Sequence, residues 1–372
     1  MSTEPEEAPR ESREFLTRQL ITYIGNKRAL LAFIGEGVEL VRKRLRREKL
    51  RMFDAFSGSG IVARYFKQFS QLLVVNDLER YSAVINGCYL SNRSELDMAS
   101  LRGWHAAIAA EAGARLRRGI VSDLYAPRDD ARIMPGERAF YTSRNAMYID
   151  TVRQLIEEIP QAQRKFFLAP LLSEASIHAN TSGIFKGFHK NKATGVGQFG
   201  GGNRDALLRI TGDISLPFPV FSNFECETIV RSGDSNEVIA DLPEVDVAYL
   251  DPPYNQHPYG SNYFMLNLIL DYEAPRGASK VSGIPEDWQR SAYNKHNRAF
   301  AALAELVENV KAKFVIVSFS SEGFVGADQM KTMLRKFGRV EVMETRYNAF
   351  RGSRNLGSRG LHVTERLYVL EK

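Results

Sequence analysis

The chain has 372 residues, 44% of them hydrophobic, which is enough for a real core and excludes global disorder. Lys and Arg number 50 against 44 Asp and Glu, a net charge of +6 that suits a polyanionic partner without demonstrating one. The two cysteines, Cys88 and Cys226, lie in no CxxC and near no ligand-spaced histidine, so a disulfide framework and a structural zinc are excluded and no metal is expected.

Two free thiols fit a reducing cytoplasm. No signal peptide or spanning segment is expected. The longest apolar stretch, 166–172, is too short and contains Pro170.

In chain order, residues 1–20 are expected to be a disordered tail, rich at first in Glu, Pro, Ser and Arg without apolar periodicity. Tyr23-Ile24-Gly25-Asn26-Lys27 then opens onto an amphipathic helix carrying Leu30, Leu31, Phe33 and Ile34. That helix runs toward the basic stretch Arg42-Lys43-Arg44-Leu45-Arg46-Arg47, which reads either as a solvated helix face or as a DNA contact. Residues 52–56 read as a short strand leading into Ser57-Gly58-Ser59-Gly60 and a helix. A second strand, 72–75, ends at Asn76-Asp77 and is followed by a helix with Tyr81, Val84 and Ile85. This β–α–β–α series predicts a doubly wound, Rossmann-like α/β sheet.

Regular alternation stops near residue 91. Helical stretches are predicted at 104–111, 146–159 and 163–179, followed by a Gly-rich basic segment holding Lys186, His189, Lys190, Lys192 and Arg204. The sheet resumes after Ser232-Gly233-Asp234, with strands at 245–250, 314–318 and 367–370. The expected organisation is therefore one catalytic domain, 21–90 and 233–372, split by a largely helical insertion, 91–232. Insertions in the loops of an α/β sheet are tolerated and commonly carry specificity.

Asp251-Pro252-Pro253-Tyr254 closes the apolar strand 245–250 and says most about chemistry. The prolines fix φ and remove backbone donors. The loop is stiff and presents acceptors, a carboxylate and a free carbonyl, beside an aromatic face. Such a group can hold a planar, amino-bearing base. A proline-terminated strand with a capping Asp is the other reading of the same four residues.

The turn Phe56-Ser57-Gly58-Ser59-Gly60 lets a ligand approach the backbone closely. Asp77, at the end of the next strand, stands where a carboxylate grips ribose hydroxyls. The pattern is not GxGxxG, since Ala63 stands three residues after Gly60, and no P-loop Lys-Ser/Thr follows. That argues against NAD and nucleoside triphosphates, and favours a nucleoside cofactor without phosphates, S-adenosylmethionine first. A tight strand–helix turn with no ligand is the alternative.

Together these segments resemble the adenine-specific DNA methyltransferases of the Dam-like, or alpha, group. Tyr23-Ile24-Gly25-Asn26-Lys27 is similar to the N-terminal cofactor motif of that group, and Asp54-Ala55-Phe56-Ser57-Gly58-Ser59-Gly60 to its glycine loop. Asn76-Asp77 matches the ribose-binding acid and Asp251-Pro252-Pro253-Tyr254 the catalytic tetrapeptide. The order, with a long target-recognition insertion before the tetrapeptide, is also theirs. Within the insertion the likeness rests mainly on 180–190. Tyr347-Asn348-Ala349-Phe350-Arg351-Gly352 resembles methylases of type II restriction–modification systems. Ser59 stands where many relatives carry another small or apolar residue.

The resemblance implies methyl transfer from S-adenosylmethionine to N6 of an adenine flipped out of double-stranded DNA. Asp251 and the Pro252 carbonyl would accept the amino hydrogens, Pro253 would stiffen the loop, and Tyr254 would stack on the extruded base. Tyr23, Gly25, Asn26, Lys27, Asp54, Phe56, Ser57, Gly58 and Gly60 are expected around the methionine end of the cofactor. Asp77 is assigned to the ribose, Asp234 to the adenine ring, and Asp251 also borders the cofactor. Lys186, His189, Lys190, Lys192, Arg204, Tyr259 and Tyr263 are expected to face DNA, the two tyrosines at the pocket mouth or in plain packing. No cysteine nucleophile of the carbon-5 cytosine type is available. The implied setting is a monomer on DNA in the bacterial cytoplasm, with a cognate restriction endonuclease as a partner in function and no direct contact. An RNA or cytosine-amino methyltransferase, and a non-catalytic DNA-binding relative, are the competing readings.

Overall fold

The computed structural model describes residues 10–202, 204–348 and 362–372. Its centre is a seven-stranded sheet of order β3-β2-β1-β4-β5-β7-β6. The strands are β1 Leu50–Asp54, β2 Ser70–Asp77, β3 Glu227–Ser232, β4 Val245–Leu250, β5 Ala312–Ser320, β6 Arg339–Asn348 and β7 His362–Glu371. All neighbours are parallel except the last two pairs, β5 with β7 and β7 with β6. β4 is buried along its whole length, which is why it reads as an unbroken apolar run rather than an alternating one. This is the doubly wound α/β sheet that the alternation predicts.

Helices cover both faces. Leu31–Leu45 and Ile61–Phe66 pack Ile34, Val38, Val41 and Phe66 against Met52, Leu73, Val247 and Ile316. On the opposite face, His296–Asn309 and Ala327–Leu334 pack Leu303, Leu306 and Met330 against Phe53, Val74, Ala248 and Val317. A third cluster is helical. Met98–Ala114, Ser143–Ile156 and Gln161–Ile177 bury Ile108, Ile149, Phe167 and Leu171 together with Tyr81, Tyr263 and Phe264 of the sheet-bearing half. Pro170 is accommodated inside the third of these helices.

The strand order reverses between β1 and β4. Loops leaving the carboxyl ends of β1, β2 and β4 therefore converge on one crevice, the usual ligand position in open α/β sheets.

Two expectations need correction. Part of the stretch assigned to a disordered tail is ordered: Arg13–Thr17 is a helix capped by Ser12, and Phe15, Leu20 and Ile21 are buried. One Phe and the Leu-Ile pair are too sparse to make a periodic pattern, yet each finds a place in the helical cluster. β3 precedes Gly233, so a boundary at 232 cuts off a strand that pairs with β2 from Leu72↔Glu227 to Asp77↔Ser232. Half-exposed and polar at its end, it lacks the apolar run of β4. In the basic stretch that ends the first long helix, Arg42 pairs with Glu39, Arg44 with Glu341 and Glu371, and Arg47 with Asp246, while Lys43 and Arg46 are exposed, as on a solvated helix face. Of the segment 347–352, residues 349–352 lie outside the described residues. Among the described residues no helix is long and apolar enough to cross a membrane.

Candidate active site

The glycine turn after β1 is fixed by backbone contacts. Ala55 N donates to Tyr249 O at 3.1 Å, Ser57 N to Asn76 O at 2.9 Å, and Gly60 N to Ser57 O at 2.7 Å. Gly58 and Gly60 have φ of +49° and +77°, conformations that a side chain would strain. Space forbids one as well, since a Cβ on Gly58 would sit 2.8 Å from the Tyr23 ring. Gly58 N donates to Asp77 Oδ2 at 2.7 Å, and Glu79 N to Asp77 Oδ1 at 2.9 Å. Burial pushes the Asp77 carboxyl up to about 6, against the pull of these N–H donors.

The N-terminal motif is clamped across the same crevice. Tyr23, Tyr259 and Tyr263 form a cluster of near-parallel rings, with the Tyr23 centroid 4.9 Å from Tyr259 and 4.8 Å from Tyr263. Ile24 N donates to Tyr263 Oη at 2.7 Å, and Tyr259 Oη donates to Ile24 O at 3.1 Å. Asn26 Oδ1 accepts from Arg28 N and starts the following turn.

Lys27 then runs inward. Its Nζ lies 3.1 Å from Asp251 Oδ1 and 2.7 Å from Glu365 Oε1, and it is almost fully buried. Burial works against its charge, but Asp251 and Glu365 outweigh that and hold the ammonium well above the usual lysine range. Asp251 is pushed up to about 6, chiefly by burial, with Lys27 pulling it down and Glu365 pushing it further up.

A cavity of about 670 Å³, counted to its open mouth, lies at the carboxyl ends of β1, β2 and β4. Tyr23, Phe56, Asp77, Asp234, Asp251 and Tyr293 are among its walls, and Gly25 and Pro253 also border it. So the first motif, the glycine turn, the acid after β2, Asp234 and the tetrapeptide meet in one place. Asp234 caps the short helix Ser235–Val238 through Asn236 N.

Other expected residues stand behind the wall. Ser57 Oγ bonds to Asn76 O and receives Asn86 Nδ2, so it braces the turn. Asp54 is fully buried, and neither carboxylate oxygen has a well-formed hydrogen bond. Burial and the neighbouring Asp251 push it well above the usual range, offset only partly by the Phe56 N–H. Pro252 is buried. Tyr254 lies edge-on to Phe319, 6.0 Å between centroids, with Lys27 Nζ 5.8 Å from its own ring centre. Gly25 has φ +77°, and a Cβ there would meet the Tyr259 and Tyr254 hydroxyls at 3.4 and 3.6 Å.

Away from the cavity, Lys186, Lys190, Lys192 and Arg204 are all exposed on the Gly-rich segment, and His189 is half-buried. Asn180 holds this segment down: its Nδ2 donates to Ala139 O at 2.8 Å and Gln198 O at 3.1 Å, and its Oδ1 accepts from Gly200 N at 3.2 Å. Tyr263 is the exception among the DNA-facing assignments. It is fully buried and supports the N-terminal motif, because its hydroxyl is the partner that Ile24 N needs. Tyr259 lines the cavity.

Three residues were missed. Glu365, on β7, had no signal: the first half of the strand, His362-Val363-Thr364-Glu365-Arg366, is mostly polar in sequence, and only the pairing shows that Glu365 shares a face with the buried Val363, Leu367 and Val369. Glu79, two residues after Asp77, is buried in the cavity wall and pushed up to about 8 by burial and by Asp77, while Asn267 Nδ2 donates to it at 2.8 Å. Tyr293 comes from a loop with no strand or glycine signature. Its ring meets Phe56 edge-on at 4.9 Å, and its hydroxyl donates to Asn236 Oδ1 at 2.6 Å.

Residues 23–199 and 218–333 match the family model described as D12 class N6 adenine-specific DNA methyltransferase. The chain is 28% identical over 367 residues to "Type II methyltransferase M.NlaIII" of Neisseria lactamica, covering 95% of this chain and 99% of that protein. It is 29% identical over 359 residues to "Type II methyltransferase M.CviAII" of Paramecium bursaria Chlorella virus 1, covering 94% and 98%. A third relative, "Modification methylase StsI" of Streptococcus sanguinis, is 25% identical over 364 residues, which are 94% of this chain and 52% of that protein. With the family model spanning most of the chain, the chain belongs to the D12 class of N6 adenine-specific DNA methyltransferases.

Proposed function

We propose that the chain methylates one adenine within a specific sequence of double-stranded DNA, with S-adenosylmethionine in the cavity beside Asp251. The carrying observation is the Lys27–Asp251 pair at the carboxyl end of β4, facing the space bounded by Asp77 and Asp234. The residues fit the cofactor. Asp251 on the cavity wall, with Asp54 buried behind it, gives that end a negative character that suits an ammonium, the turn at Gly58 and Gly60 leaves no side chain in the way, and Asp77 stands at the strand end that suits ribose hydroxyls. Tyr23, Gly25, Phe56 and Lys27 would enclose its methionine end, and Asp234 with Tyr293 its base. When bound, it supplies an electrophilic sulfonium methyl.

The protein's part is to make a poor nucleophile better and hold it in line. The lone pair of an adenine amino nitrogen is delocalised into the ring. Asp251 and the carbonyl of Pro252 accept its two hydrogens and draw it toward sp³ character. Placement of this kind accounts for much of the acceleration in such reactions. As the nitrogen gains the methyl group it gives up one proton. Asp251 takes that proton and, with a pKa of about 6, releases it to solvent at neutral pH.

The base must leave the helix to reach this depth. Tyr254 would give it an aromatic face, worth about 1–3 kcal/mol by analogy with single-strand binders. The Gly-rich segment with Lys186, Lys190, Lys192 and Arg204 would lie along the phosphates and carry the base readout. The relatives' names favour a modification enzyme of a type II system; action as a monomer in the cytoplasm, beside an endonuclease of the same specificity, is part of the proposal. Mapping methylated positions in DNA treated with the purified protein tests this: one adenine in one short sequence is expected, and scattered or non-adenine methylation overturns it.

A further inference from the structure

β7 carries an acid where its neighbours are apolar. Val363, Leu367 and Val369, which alternate with Glu365 along one face of the strand, are all buried, and Leu367 and Val369 pack toward the helix Leu31–Leu45. Glu365 is itself fully buried. A lone carboxylate there is costly, and it persists only with partners. Two converge on the same oxygen: Lys27 Nζ at 2.7 Å and Ser318 Oγ, donating at 2.6 Å. Its other oxygen, Oε2, has no hydrogen bond among the described residues. The Lys27 ammonium thus lies between two carboxylates and nearer to Glu365 than to Asp251. Only Asp251 of that pair borders the cavity.

We propose that Glu365 is a positioning residue for methyl transfer: anchored by Ser318, it fixes the Lys27 ammonium against Asp251 and so orients the carboxylate that receives the target amino group. The proposal rests on the assignment of Asp251 above. Without Glu365, Lys27 has one anchor instead of two, and a flexible four-carbon stem is free to leave it. With it, one positive charge is shared by two negative ones, so Asp251 is oriented without being fully neutralised. The other groups facing Asp251 are Tyr249, Tyr254, Tyr259, Tyr347 and the buried Asp54.

Two substitutions separate charge from anchoring. Glu365→Gln keeps an acceptor for Lys27 and Ser318 but removes the negative charge. Glu365→Leu removes both. The rate–pH profile of each is measured on one duplex substrate, beside Asp251→Ala and calorimetric binding of S-adenosylmethionine. The Leu variant is expected to lose about 10–100-fold in kcat, the scale typical of residues that orient a reacting ligand, with cofactor affinity little changed. Its acid limb should move to higher pH as Lys27 leaves Asp251. In the Gln variant that limb should move to lower pH, because a charge repelling the Asp251 carboxylate is gone. A purely structural Glu365 would lower the melting temperature and move neither limb, and that result overturns the proposal. Normal kinetics in both variants beside a dead Asp251→Ala would reject the Glu365 role alone. An active Asp251→Ala would reject the assignment beneath it.

Discussion

Lys27 Nζ sits 3.1 Å from Asp251 Oδ1 and thereby joins the first motif of the chain to the end of β4. The pair gives the site its depth and its charge. It also sets how the reaction should answer to pH, to substitution and to salt.

Activity should fall on the acid side with a midpoint near the Asp251 pKa of about 6. The group works as an acceptor, so protonation removes its function. Log kcat/KM should decline with slope up to one as pH drops through that value. Rates taken at subsaturating DNA check it. A flat profile from about pH 5 to about pH 8 would show that the carboxylate is not the acceptor.

Gly58→Ala should damage cofactor binding. The φ of +49° and the 2.8 Å approach to the Tyr23 ring oppose a Cβ together. Calorimetry with S-adenosylmethionine should register a loss of at least about tenfold, since about 1.4 kcal/mol of strain suffices. Unchanged affinity would place the ligand away from this turn.

Tyr254→Phe should keep substantial activity, and Tyr254→Ala should lose most of it. Flipping a base costs a few kcal/mol, which a ring offsets and a methyl group does not. Steady-state rates, with 2-aminopurine at the target as a flipping reporter, separate the two. A Phe variant as inactive as the Ala variant would give the hydroxyl a chemical role instead.

Replacing Lys186, Lys190 and Lys192 by Ala should weaken DNA binding and flatten its salt dependence. Each lost phosphate contact reduces the log–log slope by about 0.9. All three side chains are exposed on the segment that Asn180 ties down. An unaltered slope would make them ordinary solvated lysines.

Much of this arrangement was legible in the sequence because it rests on local signals. The apolar run of β4 ends in two prolines, the turn after β1 needs glycines, and Asp77 closes β2. Each is a backbone requirement written into adjacent residues. Other features depend on tertiary contacts and leave no such trace. Tyr263 looks like a pocket aromatic until Ile24 N is found on its hydroxyl. Glu365 gains meaning only when β7 inserts antiparallel beside β5 and meets Lys27. β6 alternates polar and half-buried residues at the sheet edge, so it shows no apolar run at all. The basic stretch 42–47 reads in sequence as either a solvated helix face or a DNA contact, and nothing local shows that acids remote in the chain take Arg44 and Arg47.

The most direct test is nucleoside mass spectrometry of duplex DNA after incubation with S-adenosylmethionine and either the wild-type protein or Asp251→Ala, with cofactor affinity measured in parallel. N6-methyldeoxyadenosine should accumulate with the wild type and be absent with the variant, which should still bind the cofactor within about tenfold. Methylcytosine as the product, or N6-methyldeoxyadenosine formed by Asp251→Ala at the wild-type rate, would contradict the account.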